Sequence, residues 1–227
     1  MKKNFITITL LLLANVGFSQ NNEFDLFHKA ETLLNEKEFG KAILIFDEVL
    51  KINSTHVGAH LYKALSNQNL KNYTEAIVGF ENAIKVDSLN TQALYEIANT
   101  YKAIKNHEKA IQYYNKAEKT LDNNTYNNPK YTVLKRIFIN EMHPFYIPKK
   151  DILYKRGLLY FNVKKYFLAY KDFSNIEIDN RDKDSQYMLA FSLLKLKKIK
   201  KGCVELDKAI SLGSKSALEI KNEYCNP

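Results

Sequence analysis

Glycine and proline are scarce in this chain, seven and four in 227 residues. A fold made of many hairpins needs both to punctuate its short strands, so their scarcity argues for helices. No glycine-rich phosphate loop follows a strand-like segment, and no two histidines flank a glutamate in the metalloprotease manner. The five histidines, His28, His56, His60, His107 and His143, are scattered. His56 and His60 have the four-residue spacing that could bind a metal, but His56 falls in a turn and His60 at a packed position. No metal or cofactor is therefore expected. A thiol nucleophile would need a free, activated cysteine, and both cysteines, Cys203 and Cys225, are accounted for below. With no convergent catalytic set, the chain reads as a non-enzyme.

Long hydrophobic runs are missing after the N-terminus. Residues 1–19 hold Lys2 and Lys3, an apolar stretch from Phe5 to Val16, and the small-residue exit Gly17-Phe18-Ser19. This is the pattern of a secretory signal peptide, with cleavage expected after Ser19. The stretch is 12 residues long, too short to cross a bilayer core of roughly 30 Å. No cysteine follows it to take a lipid, so a soluble product in the periplasm or outside the cell is expected. Loss of Lys2 and Lys3 leaves 32 basic against 25 acidic residues, a net charge of +7. Lysines spread along every helical segment read as a solvated face, and export makes nucleic acid an improbable partner.

A period of 34 residues runs through the sequence. Ala42, Ala76 and Ala110 are 34 apart, as are Phe46, Phe80 and Tyr114. In GKAILIFDEVLKIN, TEAIVGFENAIKVD and EKAIQYYNKAEKTL, a small residue and an aromatic four later share one helical face. Upstream of each lies a second amphipathic segment, in which Ala30, Ala64 and Ala98 recur at the same interval. Small side chains there let two antiparallel helices approach closely, so the unit is a helix hairpin. One hairpin cannot cover its own apolar face, and neighbours must stack.

These units resemble tetratricopeptide repeats, and TQALYEIANTYKAIKNHEKAIQYYNKAEKTLDNN at 91–124 resembles the family pattern most completely. The resemblance implies an all-α, right-handed superhelical solenoid over residues 20–227. Its repeats fall at about 23–56, 57–90, 91–124, 150–182 and 183–212, with a capping helix in 213–227. Unit two departs from the pattern at His60, and no unit closes on the usual proline. Residues 125–149 interrupt the series. Pro129 can start a helix there and Pro144 should end it, which predicts a helix over 130–141 followed by an extended strap at 145–148. Two readings stand: a degenerate repeat filling the stack, or an insertion folded over the binding surface. The apolar residues Val133, Leu134, Ile137 and Phe138 need cover and favour the first.

The C-terminal stretch GCVELDKAISLGSKSALEIKNEYC resembles the ends of exported bacterial repeat proteins in which two cysteines bracket the final hairpin. The resemblance implies a Cys203–Cys225 disulfide. Antiparallel helices would bring the two to similar height, and an oxidising compartment would hold the bond closed. Two free buried thiols is the alternative.

In the family resembled, the first helix of each hairpin lines the concave face. The fifth positions here are Phe27, Leu61, Tyr95, Tyr154 and Tyr187. Beside them Gln68, Gln92, Asn99 and Lys102 offer hydrogen bonds, a combination suited to an extended peptide or a partner's helix. Tyrosine at the fifth position also serves packing alone. The Lys, Asn and Arg clamp with which some family members grip a C-terminal carboxylate is missing: the matching positions are Phe27 and Glu31, then Leu61 and Leu65. The expected function is a protein or peptide binding module of the bacterial envelope, an adaptor or assembly factor. The alternative is a structural, surface-associated stabiliser held through its basic exterior.

Overall fold

The computed structural model describes residues 22–123 and 147–225. The expected signal peptide at 1–19 and the helix expected over 130–141 lie outside the described residues. The chain divides into two compact units, residues 1–106 and 107–227, with the boundary in the turn after Asn106. Among the described residues there is no strand.

In the first unit, α1 (residues 22–35) is followed by α2 (Phe39–Ile52), α3 (Val57–Asn69), α4 (Tyr73–Val86) and α5 (Thr91–Ala103). The second unit holds α6 (His107–Asn123), α7 (Lys149–Asn162), α8 (Tyr166–Ser174), a 3₁₀ turn (Ile178–Asn180), α9 (Lys183–Lys195), α10 (Ile199–Ser211) and α11 (Lys215–Tyr224). Within each unit consecutive helices pack on one another, as two-helix repeats require. No described helix is long and apolar enough to cross a membrane.

The sequence period is a period of burial. Ala30, Ala64 and Ala98 on the first helices have no exposed surface, and neither do Ala42, Phe46 and Val49 on α2 or Ala76, Phe80 and Ala83 on α4. The second unit repeats the device with Ala110, Tyr114 and Ala117, then Ala169 and Phe173, then Leu206 and Ala209. The small residue sets how near two helix backbones come, and the aromatic or leucine one turn later fills the space beside the contact. A fully buried side chain of that size contributes about 1.5–3 kcal/mol. The approach is close at Gly79, where an added Cβ would lie 2.8 Å from the Ala64 Cβ.

First and second helices of a pair are joined by one turn, built five times. Lys37, Lys71, Lys105, Lys164 and Lys197 all have φ between 60° and 64°. The amide after each reaches back five residues, as in Asn72 N–H to Asn67 O at 2.9 Å and Lys198 N–H to Leu193 O at 2.9 Å. This is the Schellman closure, which satisfies the last carbonyls of a helix and usually seats a glycine. At Gly213 (φ 88°), between α10 and α11, glycine does occupy it.

Three of the first helices, α3, α5 and α9, begin on side-chain caps that give the leading amides an acceptor. Asn90 Oδ1 takes the Ala93 N–H at 2.8 Å, Asp182 Oδ1 takes that of Ser185 at 2.8 Å, and His56 Nδ1 takes that of Ala59 at 3.1 Å. Helix α11, capped by Ser214, closes the second unit by covering the apolar cluster of Ala190, Leu194, Leu206 and Ala209 with Ala217, Ile220 and Tyr224. Cys203 on α10 and Cys225 at the end of α11 are joined as a disulfide, with Cα atoms 5.9 Å apart.

Candidate interaction surface

The residues marked in the sequence separate into packing and surface groups. Leu61 is wholly buried, so its side chain packs the α3 core and offers nothing to a ligand. Tyr95 is 8% exposed and buried for most of its ring. Phe27 is half-buried in an aromatic nest, stacked on Tyr62 at 5.8 Å and lying 4.4 Å from the His56 ring. That burial lowers the imidazole pKa of His56, opposed by the nearby Glu23 carboxylate, and keeps Nδ1 free to accept its cap bond. In the second unit Tyr154 meets Phe173 edge-on at 6.0 Å, and Tyr187 stacks on Phe191 at 5.6 Å. Both tyrosines keep part of their surface, and burial pushes both hydroxyl pKa values up.

The polar residues make a more definite site in the first unit. Gln68 at the end of α3 donates from Nε2 to Thr100 Oγ1 at 2.9 Å and to Glu96 Oε2 at 3.3 Å on α5. Asn99 Nδ2 donates to the same Glu96 oxygen at 3.1 Å. Gln92 and Lys102, also on α5, are partly exposed. Gln68, Glu96 and Asn99 thus form a row of amide and carboxylate groups across two consecutive first helices, each held by a neighbour and partly open to solvent. Such a row can meet both the N–H and the C=O groups of an extended chain. Glu96 and Thr100 were not among the residues singled out in the sequence. Glu96 sits one position after Tyr95, off the stripe that the 34-residue spacing picks out.

A second polar centre was not foreseen either. Arg156 on α7 is 7% exposed and holds Asp172 on α8 through two parallel bonds, Nε to Oδ2 at 2.8 Å and Nη2 to Oδ1 at 2.7 Å. Its Nη1 also donates to Asn115 Oδ1 at 2.7 Å and Glu118 Oε2 at 2.6 Å on α6. Burial alone would lower the arginine pKa, but the bonds and charges of Asp172 and Glu118 outweigh it and hold the guanidinium protonated. With every acceptor engaged inside the fold, this cluster joins α6, α7 and α8 rather than facing a substrate. The one available sign was compositional: Arg156 is one of only three arginines in the chain, next to the close-packed Gly157.

His56 Nδ1 is committed to its cap, and His60 Nε2 lies 2.9 Å from the Ser54 carbonyl oxygen. Among the described residues no three His, Cys, Asp or Glu side chains gather closely enough to hold a metal ion.

Two family models match. The model for subunit 3 of the anaphase-promoting complex, cyclosome, aligns with residues 4–83, and a tetratricopeptide repeat model aligns with residues 91–120. No curated protein matches the chain in sequence. Among solved structures, MamA is similar at 16% identity and a TM-score of 0.63, covering 90% of this chain and 96% of its own. PilF of Pseudomonas aeruginosa is similar at 16% identity and a TM-score of 0.62, over 87% of this chain and 79% of its own. YrrB, described as a tetratricopeptide-repeat protein with an unusual peptide-binding site, is similar at 19% identity and a TM-score of 0.64, over 92% of this chain and 97% of its own. Matching repeat models, buried alanines at a constant interval and stacked helix pairs agree, and the chain belongs to the tetratricopeptide-repeat proteins.

Proposed function

We propose that this chain is a non-catalytic interaction module of the bacterial envelope, an adaptor or assembly factor that receives an extended segment of another protein on its first helices. The observation that carries the reading is the row formed by Gln68, Glu96 and Asn99 across α3 and α5, anchored from beneath by the buried Thr100 hydroxyl. Its donors and acceptors are preset by their mutual bonds, so little side-chain freedom is lost when a peptide backbone replaces water. The half-exposed rings of Tyr154 and Tyr187 give the second unit an apolar surface of the kind that anchors side chains. YrrB, whose description includes a peptide-binding site, supports peptide recognition as a use of this architecture. Export rests on the basic, apolar and small-residue order of residues 1–19.

Crosslinking in intact cells tests the surface. Asn99→Arg places a long cation across the row, and it should cut recovery of crosslinked partners about tenfold while leaving the helical spectrum unchanged. Recovery equal to wild type would remove the row from consideration. N-terminal sequencing of protein released from the periplasm should begin at Gln20; a product retained in the cytoplasm with Met1 would remove the envelope assignment.

A further inference from the structure

The joining turns of the second unit carry a concentration of charge that the repeat architecture does not require. The five positions that open the second helix of repeat four are Lys164, Lys165, Tyr166, Phe167 and Leu168, and the equivalent five in repeat five are Lys197, Lys198, Ile199, Lys200 and Lys201. Ten positions hold six lysines and no carboxylate. All but Tyr166 are exposed. Phe161 and Phe191, near the ends of α7 and α9, lie 5.1 Å apart between ring centres, which puts the two turns at the same end of the stack. Lys198 Nζ lies 5.7 Å from the centre of the Tyr170 ring on α8, so the second turn reaches back onto the helix that the first one opens.

The acids on the two helices that these turns open, α8 and α10, are engaged elsewhere. Asp172 is bound to Arg156, Glu205 to Lys208 and Asp207 to Lys221. Among the described residues no ion pair reaches Lys164, Lys165, Lys197, Lys200 or Lys201. Between the lysines stand exposed hydrocarbon groups: Phe167 is 60% exposed, Leu168 36% and Ile199 39%. Soluble polyanions have charge to offer such a strip but no hydrocarbon phase. A bilayer surface has both, with negative headgroups above an acyl boundary that takes up aromatic and aliphatic side chains.

We propose that residues 164–168 and 197–201 form a docking strip for an anionic phospholipid membrane, separate from the polar row on α3 and α5. The lysines supply salt-sensitive attraction, and Phe167, Leu168 and Ile199 insert at the headgroup level. The strip holds one end of the second unit against the membrane.

Vesicle flotation tests it, with phosphatidylcholine vesicles containing or lacking about one third phosphatidylglycerol. Purified protein should float with the anionic vesicles only, and release as salt rises from ~50 to ~500 mM. Lys200→Glu with Lys201→Glu should weaken binding at least about tenfold. The charge-matched control Lys51→Glu with Lys85→Glu, at exposed positions on α2 and α4, should change it less than about threefold. Phe167→Ser should lower vesicle binding several-fold and leave binding to double-stranded DNA unchanged. Equal losses from the two double variants, equal binding to neutral vesicles, or a Phe167→Ser protein that binds vesicles like wild type would each overturn the proposal. The last outcome would make the strip a general polyanion site.

Discussion

The two units use one helix-pair plan but secure it differently. In the first, α1 to α3 are held by aromatic and aliphatic contact among Phe27, Phe46, Tyr62 and the alanines, and the cross-repeat hydrogen bonds lie half-exposed. In the second, a buried Arg156–Asp172 pair with Glu118 and Asn115 joins three helices, and a disulfide fastens the last one. The turns differ as well. Residues 37–41 carry two lysines against one glutamate and 71–75 one against one, whereas 164–168 and 197–201 carry lysines only. Apolar packing tolerates partial loss because neighbours relax into the space. A buried ion pair fails as a whole, since removing one partner strands the other in a medium that cannot solvate it.

The sharpest way to break the comparison is Asp172→Ala, which leaves the Arg156 guanidinium buried with its main acceptor gone. The second unit should lose about 3–5 kcal/mol by chemical denaturation, and Arg156→Met with Asp172→Leu should restore much of it. Next is the disulfide. Replacing Cys203 and Cys225 by serine should cost about 3 kcal/mol, with increased amide exchange concentrated in α10 and α11. In the first unit the corresponding blow is steric. Gly79→Ala sets a methyl against Ala64, which has no side-chain torsion to turn away, and should cost about 1–3 kcal/mol and raise exchange in α3 and α4. The smallest effect has the opposite sign and should be the same in both units. Lys71→Gly and Lys164→Gly each relieve a left-handed residue, and should raise the melting temperature by a few degrees, about 1 kcal/mol apiece less the entropy glycine brings to the unfolded chain.

The helix pairs were legible in the sequence because packing repeats where sequence repeats. Ala42, Ala76 and Ala110 recur every 34 residues, and each is fully buried. The division of the fifth positions was not legible. Leu61 and Tyr95 occupy the same repeat position, yet Leu61 is wholly covered, so the position faces the neighbouring core and only a longer side chain regains solvent. The Arg156 cluster was hidden for another reason. Its partners Asn115 and Glu118 stand 41 and 38 residues away across the interruption in the repeats, and nothing in a local window links them. The left-handed lysines were equally hidden, because that backbone region is usually marked by glycine or asparagine.

Those five lysines have a consequence for any partner that reads them. Each ammonium stem leaves the backbone at a position dictated by the closure of a helix end, so its placement is inherited from the fold rather than chosen by a flexible loop. Within a unit the cations are therefore graduated like marks on a rule, one for each helix pair. A binder matching that interval could register along the stack in whole steps, and inserting or deleting a repeat would lengthen or shorten the scale without smudging its divisions.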